Sequence, residues 1–363
     1  MRLNTIQFLT NTSYMLSMIF IPLFAESLGA TYFEIGVISA VFGATSFLSS
    51  FIFGKAADIH RLKKVIILGF VVSAITFFLQ IFAYDPFSLA VTRGLAGFSV
   101  GMYPAALIAY VYYQKRSIGK FSSFGALGWM AGYLLAGLIG NIIYLFALSS
   151  IFYCFALIGA MRMEDIETPL IHVTYFSIDT FTGNIGTYLS FFIRHSGAVA
   201  VWTIFPLYLA SLGANTFWMG TLYAINPAVQ FLVMRRLDRY RNERLIVWGY
   251  LLSVVAFASY IMIPNYLFVI PGMIVVACSW SFLYVGSNQL LVERNIDKAT
   301  AAGLLNSMIG ASGITGALIG GGLSQIYGFE AVLLCASIFS LIGLIIFRMF
   351  DSQKNRQSVK KIY

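Results

Sequence analysis

PLFAESLGATYFEIG, from Pro22 to Gly36, returns as PLYLASLGANTFWMG, from Pro206 to Gly220, with eight of fifteen positions identical at an offset of 184. The likeness continues downstream. GKAADIHRLKKVIILG (Gly54–Gly69) matches MRRLDRYRNERLIVWG (Met234–Gly249) at an offset of 180, aligning Asp58 with Asp238 and Lys64 with Arg244. The chain is a duplicated half, and two homologous halves imply a pseudo-symmetric molecule with its working site between them.

Composition identifies the solvent. With 59% hydrophobic and 10% charged residues and a mean hydropathy of +0.83, a soluble domain would have an apolar surface; the suitable medium is a lipid bilayer. Twelve apolar stretches of membrane-spanning length begin near residues 6, 33, 64, 87, 121, 142, 180, 217, 245, 266, 300 and 329, six in each half. The expected architecture is therefore an all-α membrane protein of twelve transmembrane helices in two pseudo-symmetric six-helix bundles. Residues 1–161 form the first bundle, 162–179 a cytoplasmic linker, 180–350 the second bundle and 351–363 a basic, disordered tail. The first span resembles a signal peptide in length, but it is the repeat partner of an internal span and lacks a small-residue cleavage site; it is read as a permanent helix.

The net charge of +9 is topological. In a twelve-span arrangement Arg2, the Lys55–Lys64 and Arg235–Arg244 clusters, Lys115, Arg116, Lys120, Arg162, Arg294, Lys298, Arg348 and the Lys354–Lys361 tail all fall on one side. The opposite loops carry Glu26, Glu34, Asp85 and Glu330 and no Lys or Arg. The positive-inside rule then makes both termini cytoplasmic in a plasma-membrane protein and leaves no basic face for nucleic acid. Cys154, Cys278 and Cys335 sit in apolar spans and are expected to be buried small hydrophobes, neither a disulfide framework nor a metal site.

At this point the chain resembles the major facilitator superfamily of twelve-helix secondary transporters over essentially its whole length. The loop after the second span is similar to the family's G-x-x-x-D-R-x-G-R-R/K loop: Gly54 and Asp58 fit and Arg61, Lys63 and Lys64 follow, although Ile59 replaces an Arg and the basic pair comes one residue late. In the second half Asp238 and Arg239 restore the acid–base pair while Met234 replaces the glycine. An acid at a helix end can hold two helices by charge-assisted bonds that break when the halves rock, so these residues are candidates for gating. RGLAGFSVG (Arg93–Gly101) is similar to the family's R-x-x-x-G-x-x-x-G pattern and puts Arg93, Gly97 and Gly101 on one face. GWMAGYLLAG (Gly128–Gly137) partly resembles the exporter motif G-x-x-x-G-P-x-x-G-G, with Tyr133 for the proline and Ala136 for a glycine; Gly128, Gly132 and Gly137 are candidate packing residues.

Intramembrane cations are the strongest functional signal. Arg93 lies within the fourth span, and Arg194 and His195 lie well inside the seventh, in FFIRHSGAVAVW. A buried Arg costs at least about 2.5 kcal/mol unless a partner, an aqueous cavity or an anionic solute receives it. The offset pairs Arg194 and His195 with Thr10 and Asn11. The resemblance implies that spans one, four, seven and ten line a central cavity, with Tyr14, Arg93, His195, Trp280, Tyr284 and Asn288 facing inward. The Asn226-Pro227 pair is expected to break the eighth span.

His195 is the one span residue that titrates near neutrality unaided, a candidate proton carrier, with Glu26 as the second choice. No Asp or Glu sits near the middle of any span. His60, His172 and His195 form no metal cluster, no nucleophile–base constellation is visible, and no P-loop is present, so neither enzyme activity nor a cofactor is expected. The expected function is secondary active transport by alternating access: ion-gradient-driven efflux of a small or amphipathic solute by a monomer. The alternatives are a small-anion transporter, suggested by the three cations, and a non-transporting solute sensor on the same scaffold.

Overall fold

The computed structural model describes residues 3–30, 32–59, 61–166, 178–214, 216–261 and 263–360. His60 and His172, named above, lie outside the described residues, as does the side chain of Glu26. The first span is two helices, α1 (Leu3–Leu16) and α2 (Ile21–Ser27). Single helices α3 (Tyr32–Ile59) and α4 (Leu62–Leu79) follow. The fourth span divides into α5 (Pro86–Met102) and α6 (Pro104–Tyr113), and α7 (Ile118–Ile139) and α8 (Ile142–Met161) complete the first half. A short α9 (Ile178–Gly183) leads into α10 (Ile185–Ser211), and α11 (Thr216–Met234), α12 (Asn242–Ser259), α13 (Val269–Arg294), α14 (Lys298–Tyr327) and α15 (Phe329–Lys360) complete the second. Among the described residues, eight spans qualify by length and apolar composition alone. The other four are the first, seventh, eighth and ninth spans, which are short or rich in polar residues.

Proline decides where helices break. Pro22 lacks an N–H and its ring crowds the carbonyl one turn earlier, and the chain turns between Leu16 and Ile21. Pro104 at the first position of α6 marks the break after Met102 in the same way. Pro206 and Pro227, by contrast, lie inside continuous helices. The expected break at Asn226-Pro227 is therefore absent: neighbouring helices hold α11 together, and only the hydrogen bond to the Tyr223 carbonyl is lost. The tail also departs from expectation, since α15 runs on to Lys360 through residues with neither Gly nor Pro to stop it.

The repeated SLGA sequence has a structural cause. Gly29 and Gly213 both take the left-handed conformation, at φ 85° and 89°. In each copy the following alanine closes the helix end: the Ala30 N–H donates to the Ala25 carbonyl at 2.9 Å and that of Ala214 to Leu209 at 3.0 Å. Both are Schellman caps, in which a side chain at the glycine would be strained. Helix starts repeat as well. Asp85 accepts from the Ser88 N–H at 2.6 Å, and its repeat partner Asn265 accepts from the Leu267 N–H at 2.9 Å. Hydrogen bonds from Ser88 hold the Asp85 carboxyl below the usual carboxylate range.

Two seams join the halves, α3 against α14 and α7 against α11, and the repeat exchanges one for the other. The first is glycine-lined. A Cβ on Gly54 would lie 2.8 Å from the Gly303 Cα, and one on Gly310 would lie 2.6 Å from the Phe47 nitrogen. Contact is concentrated at the end bearing the basic clusters, here the basic end. There α6 packs on α13 and α14, whereas α5, its continuation toward the other end, packs on elements of its own half. Among the described residues, a side chain at Gly137, near the opposite end of α7, would meet nothing within 4 Å, so the expected packing role is not realised there. Cys154 is exposed rather than buried, since α8 turns that face outward to lipid.

Candidate functional site

At the basic end two carboxylates perform the same task in opposite halves. Asp58, at the end of α3, is only 5% exposed. It accepts from the Ala299 N–H at 3.2 Å, the Thr300 N–H at 2.6 Å and the Thr300 hydroxyl at 2.6 Å, all in the first turn of α14. Its repeat partner Asp238 follows α11. It accepts from the Gly119 N–H at 3.0 Å in the first turn of α7, from the Ser117 hydroxyl and from the Gln289 amide. Each therefore caps a helix of the other half, where unpaired N–H groups and the positive end of the helix dipole favour an anion. Both sets of bonds cross the seams between the halves.

The loop cations do not face these acids in the way the sequence suggested. Lys63 lies 3.6 Å from Asp165, in the segment after α8. Arg61, Lys64 and Arg239 are exposed. Helix N–H groups satisfy the two carboxylates instead of side-chain cations. Gly54 belongs to the same closure through its contact with Gly303. Gly97 and Gly101 bring α5 against Phe42 and Ser46 of α3, and Gly128 and Gly132 bring α7 against Phe8 and Met15 of α1. These four glycines pack within one half.

Both arginines are held by protein groups. Arg93, 2% exposed, donates to the Gln80 side-chain oxygen at 3.2 Å and to the Met18 sulfur at 2.7 Å. Its guanidinium carbon lies 4.2 Å from the centre of the Phe42 ring, whose other neighbour is Tyr14 at 6.0 Å. Arg194, 1% exposed, donates through Nε to Ser253 at 2.8 Å and through an Nη to Ser279 at 3.1 Å. The Phe257 and Trp280 rings lie 5.6 and 6.0 Å from its guanidinium carbon. Polar partners plus ring faces replace the counter-anion that a buried cation otherwise requires. Nothing but the fold could reveal Gln80, Met18, Ser253 and Ser279, since each is an ordinary uncharged residue in an apolar stretch.

His195, half-buried, stacks on Trp280 at 5.0 Å, and Trp280 stacks on Tyr284 at 5.3 Å. The three rings form a column between α10 and α13, and among the described residues His195 Nδ1 has no hydrogen-bond partner. A second aromatic group crosses the α7–α11 seam: Tyr133 lies 5.5 Å from Tyr223, which lies 5.9 Å from Trp202 of α10. All these rings are half-buried. The remaining polar candidates turn toward protein. Asn11 accepts from the Trp129 indole at 2.7 Å and Asn226 from Gln230. Asn288 is fully buried and donates to the Tyr284 carbonyl, so it does not face an open interior.

Twelve spans in two repeated halves, joined by two repeat-related seams, define a polytopic membrane protein with pseudo-symmetric halves. The Major Facilitator Superfamily model matches residues 3–298 and 187–362, and the chain belongs to that superfamily. Among its relatives are two proteins named multidrug resistance protein MdtG. The one from Enterobacter lignolyticus (strain SCF1) is 24% identical, over 93% of this chain and 88% of its own length. The one from Salmonella paratyphi C (strain RKS4594) is 26% identical, over 90% and 88%. Among solved structures, the human organic anion transporter MFSD10 (TETRAN) superposes with a TM-score of 0.79 at 14% identity, covering 95% of this chain and 97% of that one. The nucleoside transporter NupG superposes with a TM-score of 0.65 at 14% identity, covering 96% of each. At these identities the structural matches establish the fold.

Proposed function

We propose that the protein is a secondary transporter that exports amphipathic aromatic solutes from the cytoplasm by alternating access. The observation that carries this reading is the pair of repeat-related carboxylates, Asp58 and Asp238, each capping a helix of the opposite half at one end only. Such caps are made in one state and broken in the other, the requirement for a two-state device. The basic end is the cytoplasmic one by the positive-inside rule, so this conformation is closed to the cytoplasm.

For the solute, the half-buried rings of Trp280, Tyr284, Tyr133 and Tyr223 offer apolar faces with polar edges. The relatives named multidrug resistance protein MdtG support a drug-like solute. A small anion gripped by arginine is the weaker reading, because Arg93 and Arg194 are both bonded to protein and closed off. A proton is the proposed coupling ion and His195 its carrier, since no described carboxylate lies near the middle of a span. The protein works as a monomer in this reading, with both termini in the cytoplasm. Counterflow of an aromatic dye in proteoliposomes tests it: a transporter exchanges internal for external dye, whereas a solute sensor binds without exchange.

A further inference from the structure

The two intramembrane arginines, though closed to direct contact, still fix the sign of charge at the aromatic centre. The described parts of the spans contain Arg93 and Arg194 as permanent charges away from the helix ends, and no carboxylate to balance them. Moreover, Trp280 of the aromatic column is already approached by one of the protein's own cations, and the second buried arginine sits on a ring of the other half. Arg93 lies 4.2 Å from the Phe42 centre, and Arg194 lies 5.6 and 6.0 Å from those of Phe257 and Trp280. We infer that the aromatic site selects solutes bearing no positive charge, taking neutral or anionic aromatic compounds and rejecting lipophilic cations. This rests on the aromatic-site reading above.

Magnitudes decide between the two opposing effects. A free ring face at a partly exposed site favours a cation by about two- to fivefold. Against it, the Arg194 guanidinium lies 6.0 Å from the centre of the Trp280 ring, and for two like charges roughly 8 Å apart at an effective dielectric of about 20 the repulsion amounts to about thirtyfold. Arg93 adds to the same sign from the first half. The repulsion exceeds the attraction, and a negative charge at the same place gains what the positive one loses. No direct salt bridge is needed, so the arginines can stay bonded to Gln80, Ser253 and Ser279 throughout.

The test uses three probes of one shape: naphthoate, naphthylmethanol and naphthylmethylammonium, titrated calorimetrically into the purified full chain. The expected result is that naphthoate and naphthylmethanol bind and naphthylmethylammonium binds at least about tenfold more weakly than naphthylmethanol. In Arg194→Gln the deficit of the cation should shrink while naphthylmethanol binding persists. Equal or tighter binding of the ammonium probe by the unaltered protein overturns the inference and leaves the aromatic site standing. Failure of all three probes to bind removes the aromatic site itself, and the charge selection with it. Because the unaltered protein decides the matter, poor folding of the Arg194 variant does not rescue the idea.

Discussion

Replacing Asp58 by Asn should open the basic end. The substitution keeps the size of the side chain and one acceptor oxygen, but it removes the charge and sets an NH2 group among the Ala299 and Thr300 N–H groups and the Thr300 hydroxyl. Hydrogen bonds to a charged group contribute about 1.5–3 kcal/mol each when intact, and an anion at a partly buried helix N-terminus up to about 2 kcal/mol. Because Asn retains part of the bonding, a net loss of about 2 kcal/mol is reasonable, roughly thirtyfold in the closed-to-open ratio. A ratio of about 100:1 would fall to about 3:1, placing some quarter of the molecules in the open state. Arg61 and Arg241 are exposed at the basic end in opposite halves. After replacement of the three native cysteines, spin labels introduced at those two positions would report the change by pulsed electron resonance as a new, longer-distance population. Asp238 is exposed, and solvent screening should limit Asp238→Asn to a shift of about fivefold or less. An unchanged distance distribution in Asp58→Asn, with the protein folded, would refute the capping argument.

Several other substitutions discriminate between roles. Gly54→Val forces a side chain against the Gly303 Cα and should prevent closure of the basic end, abolishing counterflow, whereas Gly137→Ala should change neither transport nor melting temperature by a measurable amount. Arg194→Ala deletes a fully buried, hydrogen-bonded side chain and should lower stability by about 2–4 kcal/mol in a denaturant titration. Solute binding should remain; retained stability with lost binding would instead make Arg194 a direct ligand. His195→Gln should keep exchange of solute but lose accumulation driven by a pH gradient, measured in proteoliposomes with and without the gradient; undiminished accumulation removes His195 from the coupling mechanism.

Local and repeated features were legible in the chain itself. Twelve apolar stretches gave helix starts within a few residues of those observed, because bilayer thickness demands a minimum apolar length and the backbone can satisfy its hydrogen bonds there only as helix. The offset of 180 relates Asp58 to Asp238 and also the starts of α7 and α14, so the exchange of caps between halves was implicit in it. That deduction needs one further fact, the assembly of the halves. Asp58 reaches residues 241 and 242 positions away, and no pattern along the chain states which helix end a carboxylate will meet.

Rotation and neighbours were decided by tertiary structure alone. Periodicity puts Arg93 and Arg194 on particular helix faces, yet whether such a face meets a cavity or a pair of serines depends on how the adjoining helices are turned. The fold turned both arginines and Asn288 into packed protein and Gly137 into open space. Hydropathy cannot report such choices, because within a membrane the packing face and the lipid face are about equally apolar and only close approach distinguishes them. The sequence therefore determined the duplication, the spans and the paired acids, which depend on length, composition and repetition. Which side chains touch across the seams is a property of the assembled halves.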